Sequence, residues 1–287
     1  MVIELSGTDT NGLGAALDAL RDWQRDEPAV HLHPGDLGWF WRCGVEATAS
    51  AIRIWGRNGR MLAVGLLDGP DLMRLTIAPD ARQDEELAEH LRDDLSDPAH
   101  GVLPAGEVFV EAPMDGRVQG SLLALGWLPG EAWTPLRRDL TAPVEDPGLR
   151  IEVITPDLAS VWAAVQRASF DRSKFSPEDW LVMASGPEYR DARSLVAFDE
   201  AGAAVADITV WSAGVGKPGL IEPMGVHRDH RGRGFGRAIT LAGAGALRDL
   251  GSSSVIVGTP SDNVAAVSTY RSAGFTQLEG VRDLRRV

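Results

Sequence analysis

The chain has 287 residues, of which 44% are hydrophobic and 24% are charged, and its formal net charge is −13. This composition is typical of a folded globular protein, and the sequence has no apolar run near the eighteen or so residues that a membrane helix needs. The negative charge disfavours binding to nucleic acid or to an anionic membrane. Because Met1 to Glu4 lack the basic and apolar blocks of a signal peptide, we expect a soluble, cytoplasmic protein.

Few residues in the chain are suited to binding a metal. The single cysteine, Cys43, excludes an intrachain disulfide and a cysteine-based metal cluster, and we expect it to pack as a small apolar group. His31 and His33 form a His-x-His pair, but Pro34-Gly35 follows and no further ligand is near in the sequence. We therefore predict a loop at this pair and no bound metal.

The first half of the chain predicts a hairpin, a strand, a helix and a further strand, in that order. Before them, the apolar cluster Gly38-Trp39-Phe40-Trp41 is expected to pack at an interface between domains, or otherwise to reach over a cleft. The predicted elements are the hairpin Ala51–Trp55 and Leu62–Leu67 around a turn at Asn58-Gly59, the strand Leu72–Ile77, the helix Asp84–Leu95 and the strand Val108–Glu111.

A segment rich in turn formers and charge, Thr141 to Gly148, predicts a linker between two domains, residues 1–142 and 149–287. The charge is divided unevenly across it. Residues 1–149 contain 12 Arg and 25 Asp or Glu, whereas residues 150–287 contain 16 Lys or Arg and 16 Asp or Glu. The acidic first half promotes solubility, and it could also attract a cationic amine.

The second half predicts the same order of elements after two additional helices. The predicted elements are the helices Leu158–Phe170 and Pro177–Ala184, the hairpin Ser194–Phe198 and Val205–Trp211 around Ala201-Gly202, the strand Leu220–Val226, the helix Gly236–Leu250 and the strand Ser254–Val257. Gly126-Trp127 also precedes Leu136 by the same spacing that separates Gly274-Phe275 from Leu284. We infer an internal repeat of two mixed α/β units.

The glycine-rich stretch from Arg231 to Arg237 lies between the predicted strand Leu220–Val226 and the helix that follows it. Glycines at such a junction let several backbone N–H groups converge, and the positive end of the helix dipole adds to their field. The stretch therefore predicts a site for an anion such as pyrophosphate. Asn263, Tyr270 and Gly274-Phe275 follow it in the sequence.

Together, Arg231, Gly234, Gly236, Asn263, Tyr270 and Gly274-Phe275 resemble the pattern of the GCN5-related N-acetyltransferases (GNATs), over about residues 150–287. The resemblance implies an α/β fold with two tandem GNAT-like domains, acetyl-coenzyme A as the cosubstrate, a small-molecule amine as the acceptor, and a monomer or homodimer. The implied coenzyme-binding residues are Met224, Gly225, Val226, Arg231, Gly232, Arg233, Gly234, Phe235, Gly236, Arg237 and Asn263.

The first half departs from this pattern at both diagnostic positions. Its loop is Arg82-Gln83-Asp84-Glu85-Glu86, and its three carboxylates would repel a pyrophosphate although they suit a first helical turn. Leu122 stands where the second half has Tyr270. We therefore interpret residues 1–142 as a degenerate copy that does not bind coenzyme A.

The implied chemistry requires a neutral amine, stabilisation of an oxyanion and a proton for the departing thiolate. By resemblance, Tyr270 supplies that proton, and a backbone N–H of Met224, Gly225 or Val226 binds the oxyanion. Pro223 and Gly225 predict a bulge in the strand that contains them.

The base is less specified by the sequence. Glu222, on the same strand, is the candidate base or amine anchor, and His227 is an alternative base. Asp207 is expected either to bind a cationic substrate or to face solvent. The aromatic residues Trp162, Phe170, Trp180 and Tyr189 would line an acceptor pocket or, as we favour, belong to the core.

The resulting hypothesis is an acetyl-coenzyme A-dependent N-acetyltransferase in which a primary amine attacks the thioester directly. Two alternatives remain at this point: a non-catalytic acyl-coenzyme A sensor, and an acyltransferase that uses a longer acyl chain or a non-amine acceptor. Retention of Tyr270 and Asn263 favours an enzyme, because binding alone does not require an acid for the leaving group.

Overall fold

The computed structural model describes residues 3–26 and 32–287, so His31 lies outside the described residues. The strands are β1 Glu4–Gly7, β2 Ile52–Arg57, β3 Arg60–Leu67, β4 Leu72–Ile77, β5 Val108–Glu111, β6 Leu128–Asp139, β7 Arg150–Val153, β8 Ala192–Phe198, β9 Ala204–Ser212, β10 Gly219–Val226, β11 Ser254–Pro260, β12 Thr276–Gln277 and β13 Val281–Arg286. The α-helices are α1 Leu13–Trp23, α2 Pro34–Phe40, α3 Val45–Ala51, α4 Glu85–Ser96, α5 Arg117–Ala124, α6 Ala159–Ser169, α7 Pro177–Ala184, α8 Phe235–Asp249 and α9 Val264–Ser272.

The strands form one mixed sheet in the order β1-β2-β3-β4-β5-β13-β6-β11-β10-β9-β8-β7, with β12 beside β6. From either end of the sheet, an antiparallel run leads inward to one parallel pair, which is β4 with β5 in the first half and β10 with β11 in the second. The sheet therefore has the internal repeat that the sequence predicts. Its mixed parallel and antiparallel composition confirms the predicted α/β class.

The two halves exchange strands at the centre of the sheet. β6, which belongs to the first half of the chain, pairs with β11, as in Leu136 opposite Val257. β13, the last strand of the chain, pairs with β5, as in Leu284 opposite Val110. The segment 141–148 thus separates the halves along the chain but not in the sheet, and the cleft between the halves lies beside the exchanged strands.

The α2 helix of the first half packs against the second half. A Cβ atom added to Gly38 would lie 2.3 Å from the Trp211 ring of β9, so the two backbones approach closely there. Trp39 stacks on Phe175 with ring centroids 5.4 Å apart. These contacts confirm the interface packing expected for the aromatic cluster.

The expectation for Cys43 is wrong, whereas the loop predicted at His33 is confirmed, and His33 also has a structural role there. Cys43 is exposed rather than packed as an apolar group. His33 is fully buried and caps the start of α2, because its ring accepts a hydrogen bond from the Gly35 N–H while its other ring nitrogen lies 3.1 Å from the Pro218 carbonyl. Burial lowers the pKa of His33 to about 4, which keeps its ring neutral.

Two packed clusters of apolar side chains support the sheet on either side of the exchanged strands. One is centred on α4 and strands of the first half, and the other on α8 and β8 to β11. Over the part of the chain that the structure describes, no helix has the length and apolar composition needed to cross a membrane.

Candidate active site

A cavity of about 510 Å³ lies between the two halves at the centre of the sheet. Both halves contribute charged or aromatic residues to its wall. Those from the first half include Asp36, Arg74, Glu111 and Trp133, and those from the second include Phe170, Glu222, Met224, Asn263, Tyr270, Arg282 and Asp283. The site therefore combines side chains that are far apart in the sequence.

A bulge in β10 is the first feature that shapes this cavity. The strand pairs regularly with β9 up to Ile221 opposite Val210, and regular pairing resumes at Met224 opposite Ile208. Glu222 and Pro223 lie in between, and the Trp211 indole N–H donates a 2.7 Å hydrogen bond to the Glu222 carbonyl. The bulge confirms the prediction made from Pro223 and Gly225, and it places Glu222 in the cavity wall.

The parallel strands β10 and β11 separate beyond their first two paired positions. They pair at Gly219 with Val255 and at Leu220 with Ile256. Beyond these positions β10 continues through its bulge, while β11 runs to Pro260 along the cavity wall. The backbone of β10 from Glu222 onward is therefore not paired with β11, and an extended ligand can bind between the two strands. The matching strand of the first half, β4, pairs with β3 in an unbroken register and so has no such bulge.

The start of α8 forms an open glycine loop. Gly232 and Gly234 have φ angles of 74° and 85°, and a Cβ atom at either position would meet nothing within 4 Å. No side chain caps the helix, and its first turn contains no acidic residue. Its N–H groups and dipole are therefore available to an anion. Arg231 and Arg237 flank the loop, and their side chains donate to the carbonyls of Ser169 and Ser272.

In the first half, a side chain already neutralises the positive end of the corresponding helix, α4. The Asp84 carboxylate accepts a 3.0 Å hydrogen bond from the Leu87 N–H and caps α4. Arg57 forms ion pairs with Asp84 and Glu86, at 2.7 Å and 2.9 Å. Because a carboxylate already occupies the end of this helix, an anion would meet like charge there.

Tyr270 and Asn263 reach the cavity from α9. Tyr270 is 5% exposed, and burial raises the pKa of its phenol, so the hydroxyl is protonated at neutral pH. Asn263 caps α9, because its side-chain oxygen accepts a 3.1 Å hydrogen bond from the Ala266 N–H. The sequence did not predict this structural role, which leaves the amide nitrogen of Asn263 as a donor.

Carboxyl groups surround a single guanidinium in the cavity wall. Arg74 Nη1 lies 2.8 Å from Asp36 and 3.8 Å from Glu222, and Arg74 Nε lies 3.0 Å from Asp68 and 3.7 Å from Glu111. Burial and the nearby Asp36 raise the pKa of Glu222 well above its ordinary value, and Arg74 opposes the shift. Burial likewise raises the pKa of Glu111 to about 7.

Several candidate residues lie outside this cavity. His227 caps the short turn after β10, where its ring accepts from the Asp229 N–H, and it is absent from the cavity wall. Asp207 neither faces solvent nor lines the cavity. It is fully buried beside Ser169 of α6, and burial raises its pKa to about 8. Gly225 lies opposite Asp207 in the sheet, and Gly225 and Val226 also lie outside the wall.

The aromatic candidates are divided between core and cavity. Trp162 and Trp180 are buried in the core, and Tyr189 packs edge-on against Trp180 and Trp211. Only Phe170 of these four residues lines the cavity.

The sequence did not predict the contribution of the first half to the site. Arg74 and Glu111 come from strands that pair with each other, and Asp36 comes from α2. The one available signal was the charged side chain of Arg74 in strand β4, whose other residues are apolar apart from Thr76.

The separated parallel strands, the bulge and the open helix start define an acyl-coenzyme A N-acyltransferase fold, and comparisons with known proteins agree. The model of the Acetyltransferase (GNAT) family matches residues 160–275. The mycothiol acetyltransferase of Thermobispora bispora is 28% identical, in an alignment that covers 81% of this chain and 90% of that protein. The second half of the chain therefore matches the GNAT family, and the fold of the whole chain is similar to that of a tandem GNAT protein.

Solved structures show the same fold over nearly the whole chain. A GCN5-related N-acetyltransferase from Sphaerobacter thermophilus matches with a TM-score of 0.60 and 20% identity, covering 99% of this chain and 95% of that one. A tandem GNAT protein from the clavulanic acid biosynthesis pathway matches with a TM-score of 0.59 and 18% identity, covering 99% and 98%. The two-domain arrangement is therefore shared with solved proteins.

Proposed function

We propose that the protein is an acetyl-coenzyme A-dependent N-acetyltransferase that transfers an acetyl group to a primary amine of a small molecule. One observation carries the proposal: the bulge in β10 brings Glu222 into a cavity that Tyr270 also lines, beside strands that have separated. A base, an acid and a channel for the coenzyme are thereby combined in one place.

The loop and strand residues suit acetyl-coenzyme A. The open N–H groups from Gly232 to Arg237 would hold its pyrophosphate, and the β10 backbone from Met224 to Val226 would run beside its pantetheine arm. The free amide nitrogen of Asn263 is a further donor. Bound acetyl-coenzyme A supplies the thioester carbonyl to which the amine adds and from which coenzyme thiolate departs.

Glu222 and Tyr270 would handle the protons of this reaction. Burial raises the pKa of Glu222 above its ordinary value, which makes its ionised carboxylate a stronger base, so that this carboxylate would accept the proton of the amine. The protonated Tyr270 hydroxyl can donate to the leaving thiolate. A backbone N–H of Met224, Gly225 or Val226 is the candidate donor to the oxyanion.

The acceptor would enter the cavity between the halves. Its acidic wall favours a cationic amine, and its volume suits a small molecule rather than a protein domain. Because relatives of this chain are named mycothiol acetyltransferases, a mycothiol-related amine is the first acceptor to test.

The proposed division of labour follows the two halves. Residues 149–287 would bind acetyl-coenzyme A, and residues 1–142 would bind none, since Asp84 caps the start of α4. We further propose that the protein acts in the cytoplasm as a monomer or homodimer, without nucleic acid or membrane partners.

Release of coenzyme A thiol tests the function directly. The wild-type protein would be assayed with acetyl-coenzyme A and a panel of amines containing a mycothiol-related amine, alanine methyl ester, glucosamine and 1,4-diaminobutane, and then with propionyl- and hexanoyl-coenzyme A. We expect amine-dependent release with the acetyl donor, reduced about a hundredfold or more in Glu222→Gln. Tight binding without any release would instead support a sensor, and preference for hexanoyl would support a longer acyl donor.

A further inference from the structure

Arg74 and Glu222 occupy equivalent positions in the two halves. In the first half Leu72 pairs with Phe109 of the parallel neighbour, and in the second half Leu220 pairs with Ile256. Arg74 and Glu222 each follow two residues after that leucine. In the folded chain these two positions lie together, with Arg74 Nη1 3.8 Å from Glu222 Oε2.

Other residues of the first half hold Arg74 in place. Arg74 Nη1 donates a 2.8 Å hydrogen bond to Asp36, and Arg74 Nε lies 3.0 Å from Asp68 as an ion pair without a hydrogen bond. Glu111 and Glu222 lie farther away, beyond hydrogen-bonding distance. Asp36 is in turn fixed, because its second oxygen accepts a 2.6 Å hydrogen bond from the His33 N–H. The guanidinium is therefore anchored by the first half and directed toward a carboxyl of the second.

The charges around Glu222 make this guanidinium necessary for a base. Asp36 of α2, Asp68 after β3 and Glu111 of β5 surround the same guanidinium, and Tyr270 of α9 and Asp283 and Arg282 of β13 complete the titratable groups of the cavity wall. Burial and like charge both favour a protonated Glu222, which cannot accept a proton. Arg74 is the nearest positive charge that opposes them.

We propose that Arg74 is a positioning residue that supplies the counter-charge for Glu222, so that the first half completes the catalytic site of the second. This inference rests on the proposed function. It gives the degenerate half a chemical role. The same strand position holds the base, Glu222, in the second half and the cation that acts on this base, Arg74, in the first half.

The titration of Glu222 tests this without relying on turnover. Protein containing carboxyl-labelled [13C]glutamate would be titrated by NMR, with the Glu222 signal assigned by its loss in Glu222→Gln. Relative to wild type, we expect the midpoint to rise by about one pH unit or more in Arg74→Met, which removes the cation, and to fall in Asp36→Asn, which removes a like charge. Arg74→Lys, which retains the charge, should remain closer to wild type than Arg74→Met.

Kinetics with acetyl-coenzyme A and the amine panel give a second readout. The acid limb of the pH profile of kcat/KM should shift to higher pH in Arg74→Met and to lower pH in Asp36→Asn. At pH 7, Arg74→Met should therefore lose about tenfold or more in kcat/KM, while KM for acetyl-coenzyme A changes little. Arg60→Met is the matched control, since Arg60 forms an exposed ion pair with Asp80 away from the cavity. It should retain the wild-type profile.

The outcomes separate this inference from the proposed function. Unchanged Glu222 midpoints, or shifts in the same direction for Arg74→Met and Asp36→Asn, would overturn the role of Arg74. If Arg74→Met fails to fold, Asp36→Asn and Arg74→Lys still decide the question. A Glu222→Gln variant as active as wild type would instead remove Glu222 as base and so contradict the proposed function, whatever the NMR midpoints.

Discussion

The indole N–H of Trp211 donates a 2.7 Å hydrogen bond to the backbone carbonyl of Glu222, and so joins β9 to the bulge that presents Glu222 to the cavity. The α2 helix of the first half packs against this indole ring. Added Cβ atoms at Gly35 and Gly38 would lie 2.5 Å and 2.3 Å from Trp211 atoms. The position of Glu222 therefore depends on packing between the halves as well as on its own strand.

Gly38→Ala tests this dependence. The added methyl group would be forced against the Trp211 ring, so we expect a loss of about 1–3 kcal/mol in the free energy of unfolding and slower acetyl transfer. Gly14→Ala is the control, because Gly14 lies in α1 with nothing within 4 Å of an added Cβ, and it should stabilise the protein by roughly 0.5–1 kcal/mol. Urea unfolding and thiol release measure both. If Gly38→Ala is destabilised but transfers acetyl groups as fast as the wild type, the contact with Trp211 does not control the geometry of the active site.

Gly234→Glu should abolish binding of acetyl-coenzyme A, because it places a carboxylate at the open start of α8 where the pyrophosphate would bind. Gly202→Glu is the matched control for backbone strain. Gly202 has a φ angle of 82°, close to the 85° of Gly234, and an added Cβ there also meets nothing within 4 Å. Calorimetric titration compares the two variants. Normal binding by Gly234→Glu would place the pyrophosphate elsewhere.

Tyr270→Phe should leave acetyl-coenzyme A affinity nearly unchanged and slow transfer by about a hundredfold or more, because the leaving thiolate loses its proton donor. The other tyrosine of the chain, Tyr189, provides the comparison: it is part-buried against Trp180 and lies outside the cavity wall. Tyr189→Phe should retain most activity. Single-turnover rates would be measured for both, and equal rates for Tyr270→Phe and wild type would exclude Tyr270 as the acid.

Asp207 should make stability depend on pH. Its pKa is about 8 in the folded protein, above the ordinary 3.8, so folding favours the protonated form and this stabilisation is lost as pH rises toward 8. Asp207→Asn removes the titration. Between pH 5 and pH 8, we expect the stability of Asp207→Asn relative to wild type to increase by on the order of 3 kcal/mol. Urea unfolding at both pH values measures it, and a constant difference would mean that Asp207 is ionised when folded.

Features that depend on local backbone chemistry could be predicted from the sequence. The glycines between Arg231 and Arg237 require an open turn, and Pro223 followed by Gly225 cannot continue a regular ladder. The same reasoning predicted that the two helix starts differ, and the structure agrees: Asp84 caps α4, whereas no side chain caps α8.

Features that depend on tertiary placement could not be predicted in this way. Arg74 lies 3.8 Å from Glu222 although β5, β13, β6 and β11 stand between their strands in the sheet order, and no local pattern specifies this approach. Asp207 was misplaced for a related reason. Helices α6 and α8 cover opposite faces of β9, so both faces are buried and alternation along the strand does not indicate a solvent side.

The most direct test of the account is the number of acetyl-coenzyme A molecules bound per chain, measured by calorimetric titration of the wild-type protein. One site per chain, lost in Gly234→Glu, is the predicted result, because α8 has an open helix start beside separated strands whereas Asp84 caps the matching helix α4. Two sites would contradict the interpretation of the first half as degenerate, and no site would contradict the assignment of the second half as the coenzyme-binding unit.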